Sequence, residues 1–257
     1  MLRSLLALFA LAIFIGSFVL ISTGTAARRP QSAAAGAAPM RILMIGDSLS
    51  AGPFGESVQQ HFAIRFGPQN VSAYASCGSS PEHWLASEPG WYTKCGYRES
   101  TPDKAPIMRD WVNGKPPRPT LTPKVETLVR RHQPTVVIVQ LGTNWMDRDL
   151  SDAQISGFAN RFISAARGAT VRQIIWIAPP DSSAMPRSAQ TRIHRLIQQA
   201  AARQQVDVID SRQLTHYVKG QTGGDGVHYS SESSRAWAER VNDILDSKVR
   251  VQMASRR

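Results

Sequence analysis

The sequence predicts an α/β protein in which a parallel β-sheet lies between two layers of helices. Short apolar runs that end at glycine or polar residues are typical of buried strands in such sheets. Segments with apolar residues at helical spacing separate these runs, and strands that alternate with helices indicate a parallel sheet covered on both faces. The chain has 257 residues, 42% of them hydrophobic, which suffices for one domain with a sizeable core. The five predicted strands are residues 42–45, 71–75, 136–141, 174–178 and 206–209.

The predicted helices are supported by apolar faces and by helix-start signals. Residues 54–66 form the first long helix after the first strand. Residues 122–123, a threonine and a proline, are typical of an N-cap followed by proline at the first helical position. Residues 151–154 show a capping-box pattern, and residues 188–204 carry apolar side chains on one helical face. The last helix has apolar residues at helical spacing: Trp237, Val241, Ile244 and Leu245.

Small and polar residues follow the first strand directly, as Gly46, Asp47 and Ser48. Ser48 should therefore lie at the carboxyl end of that strand, and in open α/β sheets this is the edge where ligands bind. A serine hydroxyl is a weak nucleophile unless a histidine acts as its general base and a third group orients that histidine. If Ser48 is a nucleophile, the rest of the chain must supply both groups.

A short segment near the C-terminus offers both groups. Asp225 and His228 lie three residues apart on a glycine-containing turn, where the carboxylate can accept a hydrogen bond from one imidazole nitrogen. The other nitrogen is then free to face Ser48. Asn144 follows the strand at 136–141 and brings an amide side chain to the same edge of the sheet, where it could stabilise a developing oxyanion.

Four other polar residues must be weighed against these candidates. Ser182 is a rival nucleophile, but no partner motif accompanies it. Asp210, at the end of the fifth strand, competes with Asp225 for the position of triad acid. We interpret Asp47 as a structural residue of the turn, because a carboxylate next to the nucleophile points in another direction. His194 should lie on the surface of its helix, since the apolar face is formed by other residues.

Three sequence blocks together resemble the SGNH (GDSL-type) hydrolase family. They are residues 46–50 (GDSLS), residues 142–144 (GTN) and residues 225–228 (DGVH), and they occur in the family's order. Gly78 is the best match to the family's remaining block, a glycine in the loop after the second strand. The resemblance covers about residues 40–248. The sequence departs from the family pattern after Asn144 and after His228, where Trp145 and Tyr229 replace the usual aspartate and proline.

The resemblance implies a fold, a reaction and a set of site residues. The fold would be a flavodoxin-like three-layer α/β/α sandwich with a five-stranded parallel sheet. The reaction would be hydrolysis of a carboxylic ester through an acyl-enzyme on Ser48, with His228 as base and Asp225 as its orienting acid. The oxyanion would be held by the N–H groups of Ser48 and Gly78 and by the side chain of Asn144.

The N-terminal part of the chain differs in composition from the rest. Residues 1–27 contain an arginine, a long apolar run and then small residues, which is typical of a secretory signal or of a signal anchor. Residues 28–39 form an Ala-rich linker, and residues 40–250 form the predicted hydrolase domain. Export would place the protein in the periplasm or outside the cell, with membrane anchoring by the N-terminal segment as an option. The only two cysteines, Cys77 and Cys95, then suggest a disulfide, with two buried thiols as the alternative.

A proline-rich and aromatic insertion at about 79–121 and a net charge of +11 bear on the substrate. Exposed aromatic rings can stack against sugars, although some of these rings should form a small core of their own. We therefore expect a serine esterase that removes short acyl groups, such as acetyl, from a cell-envelope or extracellular carbohydrate. An anionic substrate is one option that the charge favours. The alternatives are a lipid esterase of the lysophospholipase or thioesterase type, and a catalytically silent polysaccharide-binding module.

Two kinds of partner are not expected. The histidines show no spacing typical of metal ligands, so neither a metal nor another cofactor is predicted. A basic protein can also bind nucleic acid, but the chain has no recognisable nucleic-acid-binding motif and begins with an export signal. We therefore expect no nucleic-acid partner.

Overall fold

This computed structural model describes the backbone of residues 39–254 and the side chains up to residue 249. The predicted signal segment, residues 1–27, and the linker up to residue 38 lie outside the described residues. Within residues 39–254, no helix combines the length and the apolar character that crossing a membrane requires.

A seven-stranded sheet forms the centre of the fold, with the strand order β5-β4-β2-β1-β7-β8-β9. A separate two-stranded sheet pairs β3 with β6. The strands are β1 (Ile42–Gly46), β2 (Val71–Ser76), β3 (Tyr92–Thr93), β4 (Tyr97–Ser100), β5 (Ile107–Arg109), β6 (Thr120–Leu121), β7 (Val136–Gln140), β8 (Gln173–Ala178) and β9 (Asp207–Asp210).

The five parallel strands have the order β2-β1-β7-β8-β9, which is the flavodoxin-like order. This part of the predicted fold is confirmed. The predicted number of strands is wrong, because the sheet has seven strands rather than five. The two additional strands, β4 and β5, come from the insertion and pair antiparallel along the free edge of β2. They are only four and three residues long and lack a long apolar run, so the sequence gives little sign of them.

Within the part of the chain that the structure describes, six α-helices accompany the sheet, and the two faces of the sheet have separate cores. Alternate residues of β1 point to opposite faces: Leu43 and Ile45 belong to one core, and Ile42 and Met44 to the other. The first core includes residues of α3, α4 and α5, and the second includes residues of α2 and α6. The helices are α1 (Ser48–Ala51), α2 (Pro53–Phe66), α3 (Val125–His132), α4 (Asp152–Ala166), α5 (Arg187–Arg203) and α6 (Ser231–Ala254).

One of the two predicted helix starts is correct. The capping box before α4 is confirmed, since the Ser151 N–H donates to Gln154 Oε1 at 2.9 Å and the Gln154 N–H donates to Ser151 Oγ at 3.3 Å. The prediction that Thr122 caps α3 is wrong, because α3 begins three residues later, at Val125. The Thr122 hydroxyl instead hydrogen bonds with Ser76 Oγ at 2.6 Å, which joins the end of the insertion to β2.

His194 is also not where the sequence predicts it. Its side chain is buried within α5, with only 1% of its surface exposed. The Nε2 atom lies 2.9 Å from the carbonyl oxygen of Pro179. Burial is the main cause that lowers the pKa of His194 to about 4. His194 therefore contacts the loop after β8 from the protein interior and does not face solvent.

Candidate active site

Ser48 lies at a tight turn between β1 and α1. The Asp47 carboxylate caps α1 by accepting a hydrogen bond from the Leu49 N–H at 3.0 Å. A side chain at position 46 could not fit, because its Cβ atom would lie 2.2 Å from Ser50 Oγ. The Ser50 hydroxyl in turn donates to Gln140 Oε1 at 2.8 Å, which anchors the turn to the end of β7. The sequence thus fixes Ser48 at the carboxyl edge of the sheet.

The structure brings Ser48, His228 and Asp225 together. Ser48 Oγ lies 2.9 Å from His228 Nε2, and His228 Nδ1 lies 2.6 Å from Asp225 Oδ2. The other carboxylate oxygen of Asp225 accepts hydrogen bonds from the N–H groups of Val227 and His228, at 2.8 and 2.7 Å. This is the order of contacts that nucleophilic catalysis by serine requires.

The contacts of Asp225 also determine its ionisation. Partial burial alone would raise the pKa of Asp225, but the hydrogen bonds from His228 and from the backbone outweigh it and lower the pKa to about 2. The carboxylate is therefore charged over the whole neutral and mildly acidic range. A charged acceptor at Nδ1 favours the tautomer in which Nε2 is free to accept the Ser48 proton.

The loop after β8 holds the turn that carries Asp225 and His228. The carbonyl oxygen of Gly226 accepts hydrogen bonds from the Ser182 hydroxyl at 2.6 Å and from the N–H groups of Ser183 and Ala184 at 3.0 and 3.2 Å. Gly226 has a φ of +93°, and a Cβ atom there would lie 2.7 Å from Ala184 Cβ. Position 226 therefore requires glycine both for its backbone conformation and for this close approach.

The hydroxyl group of Tyr217 also holds the turn that carries Asp225 and His228. This hydroxyl accepts a hydrogen bond from the Gly226 N–H at 2.9 Å and donates to the His228 carbonyl at 3.1 Å. The Tyr217 N–H donates to Asp181 at 2.8 Å, and the Tyr229 hydroxyl donates to the Asp181 carbonyl at 2.6 Å. These tyrosines could not be recognised in the sequence as supporting residues, because no motif marks a contact that only the fold creates.

The rival residues have other partners. Ser182 is buried, and its hydroxyl hydrogen bonds with Gly226 rather than with a histidine. The carboxylate of Asp210 lies 3.0 Å from Arg212 Nη2 and 3.1 Å from His194 Nδ1. Neither residue hydrogen bonds with Ser48 or His228. Ser182 is therefore not placed to replace Ser48 as the nucleophile, and Asp210 is not placed to orient His228.

Three hydrogen-bond donors lie in segments next to Ser48. Within the described residues, the backbone N–H groups of Ser48 and Gly78 have no hydrogen-bond acceptor. Gly78 has a φ of +76°, a backbone conformation that glycine adopts easily and residues with a side chain rarely adopt. Asn144 Nδ2 donates to the carbonyl oxygen of Ser79 at 2.9 Å, and the amide retains a second N–H. These are the donors that the sequence proposes for an oxyanion hole.

Cys77 and Cys95 form a disulfide with a Cα–Cα distance of 5.6 Å. The bridge joins the residue after β2 to the segment before β4. Thr93 Oγ1 donates to the Cys77 carbonyl at 2.8 Å, and the Cys77 N–H donates to the Gly96 carbonyl at 2.9 Å. Because Gly78 follows Cys77 directly, these contacts constrain the loop that carries its N–H.

Asp47 is the most deeply buried carboxyl group beside the site, with none of its surface exposed. Burial raises the pKa of Asp47 to about 6, although the hydrogen bond from the Leu49 N–H lowers it in part. This environment agrees with the structural interpretation of Asp47.

An open cleft of about 290 Å³ contains the catalytic candidates. Ser48 and His228 line it together with the disulfide and with residues 108–111 of the insertion. Across residues 39–254, no group of three histidine, cysteine or acidic side chains is arranged to hold a metal ion.

Solved structures with similar folds include several esterases. A structure described as a peptidoglycan O-acetylesterase in action matches with a TM-score of 0.56 and 13% identity, over 83% of this chain and 92% of that one. A carbohydrate acetylesterase from Sinorhizobium meliloti matches with a TM-score of 0.52 and 15% identity, over 81% and 99% of the two chains. A lipase/acylhydrolase from Enterococcus faecalis matches with a TM-score of 0.53 and 18% identity, over 81% and 97%. These identities show the common fold.

The family assignment comes from the sequence itself. A search of curated protein sequences found no match to this chain. The family model for GDSL-like lipase/acylhydrolases matches residues 42–241, which is most of the chain and includes all three sequence blocks. The chain therefore belongs to the GDSL-like lipase/acylhydrolase family, and it is a serine hydrolase that acts on carboxylic esters.

Proposed function

We propose that this protein removes short acyl groups, such as acetyl, from a cell-envelope or extracellular carbohydrate, with Ser48 as the nucleophile. The observation that carries this proposal is the continuous contact from Ser48 through His228 to Asp225, at 2.9 and 2.6 Å. No other serine among the described residues hydrogen bonds with a histidine that also contacts a carboxylate.

The reaction follows from these contacts in two steps. His228 Nε2 takes the proton of Ser48 as Oγ attacks the ester carbonyl carbon, and the same proton then goes to the leaving sugar oxygen. A water molecule, deprotonated by His228, then attacks the acyl carbon; the bond to Ser48 Oγ breaks, His228 returns the proton to Oγ, and the carboxylic acid leaves. In both steps the negative oxygen would be stabilised by the N–H groups of Ser48 and Gly78 and by Asn144. A donor of this kind lowers the barrier by roughly 3 kcal/mol.

The substrate class is supported by the cleft and by the structural neighbours. The cleft is open, and its wall includes the Trp111 ring and the polar side chains of Arg109 and Asp110, which offer a stacking face and hydrogen-bonding groups to a polar alcohol. Two of the neighbours with this fold are described as acting on peptidoglycan and on carbohydrate. The alternative is a lipid esterase.

Export remains part of the proposal. A disulfide is stable in oxidising compartments, and its presence favours a periplasmic or extracellular location. The net charge of +11 would attract an anionic polysaccharide, and it would attract an anionic membrane surface if the N-terminal segment anchors the protein.

A comparison of substrates tests this proposal. The purified protein is incubated with acetylated xylan, O-acetylated peptidoglycan, lysophosphatidylcholine and 4-nitrophenyl acetate, and the released acid is quantified. We expect acetate from at least one of the two polysaccharides at a higher kcat/KM than from the aryl ester. Release of fatty acid alone would indicate the lipid esterase, and no release of acetate from either polysaccharide would contradict the proposed function.

A further inference from the structure

Four consecutive residues of the insertion line the same cleft as Ser48 and His228. They are Met108 and Arg109 at the end of β5, followed by Asp110 and Trp111. All four are exposed, with 51% of Met108 and 53% of Trp111 open to solvent. An exposed tryptophan beside a nucleophilic serine calls for an explanation, because tryptophan is normally buried to a large degree.

The backbone holds this segment in a defined position. On one side β5 pairs with β4, which follows the disulfide at Cys95. On the other side a tight turn closes the segment, with reciprocal hydrogen bonds of 3.1 and 3.0 Å between the backbones of Val112 and Lys115. Asn113 and Gly114 form the tip of this turn with positive φ values of 52° and 75°, as such hairpin turns require. The wall of the cleft is therefore preorganised.

The polar side chains of the wall have unused hydrogen-bonding capacity. The Arg109 guanidinium has no hydrogen bond or ion pair with any described residue. One oxygen of Asp110 accepts the Trp111 N–H at 2.7 Å, and the other has no partner within residues 39–254. The segment thus presents the Arg109 guanidinium as a donor, the Asp110 carboxylate as an acceptor and the Trp111 ring as an aromatic face, all in the lining of the cleft.

We propose that Arg109, Asp110 and Trp111 form a glycan subsite that holds a sugar ring while the ester group lies at Ser48. The apolar face of a pyranose stacks on the Trp111 ring, and its hydroxyl groups hydrogen bond with Arg109 and Asp110. A lipid acyl chain in the same place would cover the two charged groups without pairing them, which is unfavourable. The inference rests on the proposed function, since it names how the carbohydrate is bound.

Kinetics on two substrates of different size test the subsite. For each variant, kcat/KM is measured on the acetylated polysaccharide that the unmutated protein hydrolyses best and on 4-nitrophenyl acetate, which has no sugar. The ratio of the two values should fall at least tenfold in Trp111→Ala and less than about threefold in Trp111→Phe, which keeps an aromatic face. It should fall about three- to tenfold in Arg109→Gln and in Asp110→Asn, through KM more than through kcat.

Two residues of the same insertion provide matched controls. Tyr92 is 55% exposed and Arg118 is exposed, but neither lines the cleft. Tyr92→Ala and Arg118→Gln should leave the ratio within about twofold of the unmutated value, as surface changes outside the site do. A fall in these controls as large as in Trp111→Ala would overturn the subsite, because it would show a general effect of the insertion.

A binding measurement separates failure of the subsite from failure of the proposed function. Xylo-oligosaccharide and peptidoglycan fragments are titrated into Ser48→Ala and into Ser48→Ala/Trp111→Ala, and Kd is compared. Binding that is at least tenfold weaker in the double variant supports the subsite even if no hydrolysis is found. Hydrolysis with an unchanged ratio in Trp111→Ala overturns the subsite alone. A Trp111-dependent fluorescence shift with phosphatidylglycerol vesicles, and none with glycans, would overturn it in favour of a lipid surface.

Discussion

Asp225, the proposed triad acid, differs from its rival Asp210 in its contacts. Asp225 makes three contacts with the His228 residue and its turn, whereas Asp210 contacts Arg212 and His194. The two aspartates can therefore be compared as a matched pair.

Asp225→Asn should lower kcat by roughly 10³- to 10⁴-fold, because an amide at this position favours the wrong imidazole tautomer. Asp210→Asn should lower kcat less than about threefold, since Asp210 does not contact the catalytic histidine. Steady-state kinetics with 4-nitrophenyl acetate measures both. The reverse ranking of the two variants would move the triad acid to Asp210.

The buried carboxyl group of Asp47 predicts how stability depends on pH. Its pKa is raised from 3.8 to about 6, so the folded state binds this proton more tightly than the unfolded state does. The stabilising contribution is present below about pH 4 and is lost as the pH rises through about 6. The Asp47→Asn variant has no ionisable carboxyl group at this position. The variant should therefore gain stability relative to the unmutated protein between pH 4 and 7, by on the order of 3 kcal/mol.

Urea unfolding of both proteins at pH 4, 5, 6 and 7 measures this difference. A difference in unfolding free energy that stays constant over this range would contradict the assignment of a raised pKa to Asp47. A difference that shrinks with rising pH would mean that the folded state favours the carboxylate.

Single residues differ in how far the sequence could identify them. Ser48, Asp225 and His228 stand in short blocks whose chemistry is readable from residue type and spacing. Tyr217 and Ser182 could not be recognised as supports of the Asp225 turn, because their contacts with Gly226 arise only when separate loops meet. The burial of His194 was missed because its polar partner, the Pro179 carbonyl, belongs to another element.

At the level of elements, the disulfide links the segment before β4 to the loop that carries Gly78. It joins residues 18 apart, and a closed loop of this size stabilises the folded state by about 3 kcal/mol in the chain-entropy account. Because Gly78 follows Cys77, the bridge should also fix the direction of the Gly78 N–H. Small errors in the position of such a donor reduce the rate.

The double variant Cys77→Ser/Cys95→Ser should therefore have a lower Tm and also a lower kcat at temperatures where it is folded. Circular dichroism establishes that the variant is native at the assay temperature, and turnover is compared there. A lower Tm with unchanged kcat would limit the bridge to a stabilising role. Free thiols in the untreated protein would contradict the bridge itself.

The elements of the central sheet were predictable, whereas those of the insertion were not. Strands β1, β2, β7 and β8 are buried along their whole length and appear in the sequence as mainly apolar runs. Strand β9 lies at the edge of the sheet, and only its Ile209 is buried. Strands β3 to β6 contain two to four residues each, too few to show periodicity. Thr122 and the proline after it have the pattern of a helix N-cap. The Thr122 hydroxyl instead hydrogen bonds with Ser76, because the end of the insertion packs against β2.

At the level of the whole molecule, the site depends on the parallel order of the sheet. Ser48 follows β1, Gly78 follows β2 and Asn144 follows β7, and these three strands are neighbours. The flavodoxin-like order could be predicted from the family resemblance. The added edge strands could not, and β5 and the residues that follow it contribute to the wall of the cleft that contains Ser48 and His228.

Labelling with a serine-directed phosphonate tests the central claim, that Ser48 is the nucleophile. The protein is treated with a fluorophosphonate, its intact mass is measured, and the modified peptide is mapped. We expect one added label at Ser48, no label in Ser48→Ala, and loss of ester hydrolysis in that variant by at least about 10³-fold with the fold retained. An adduct at Ser182, or hydrolysis by Ser48→Ala near the unmutated rate, would contradict the account.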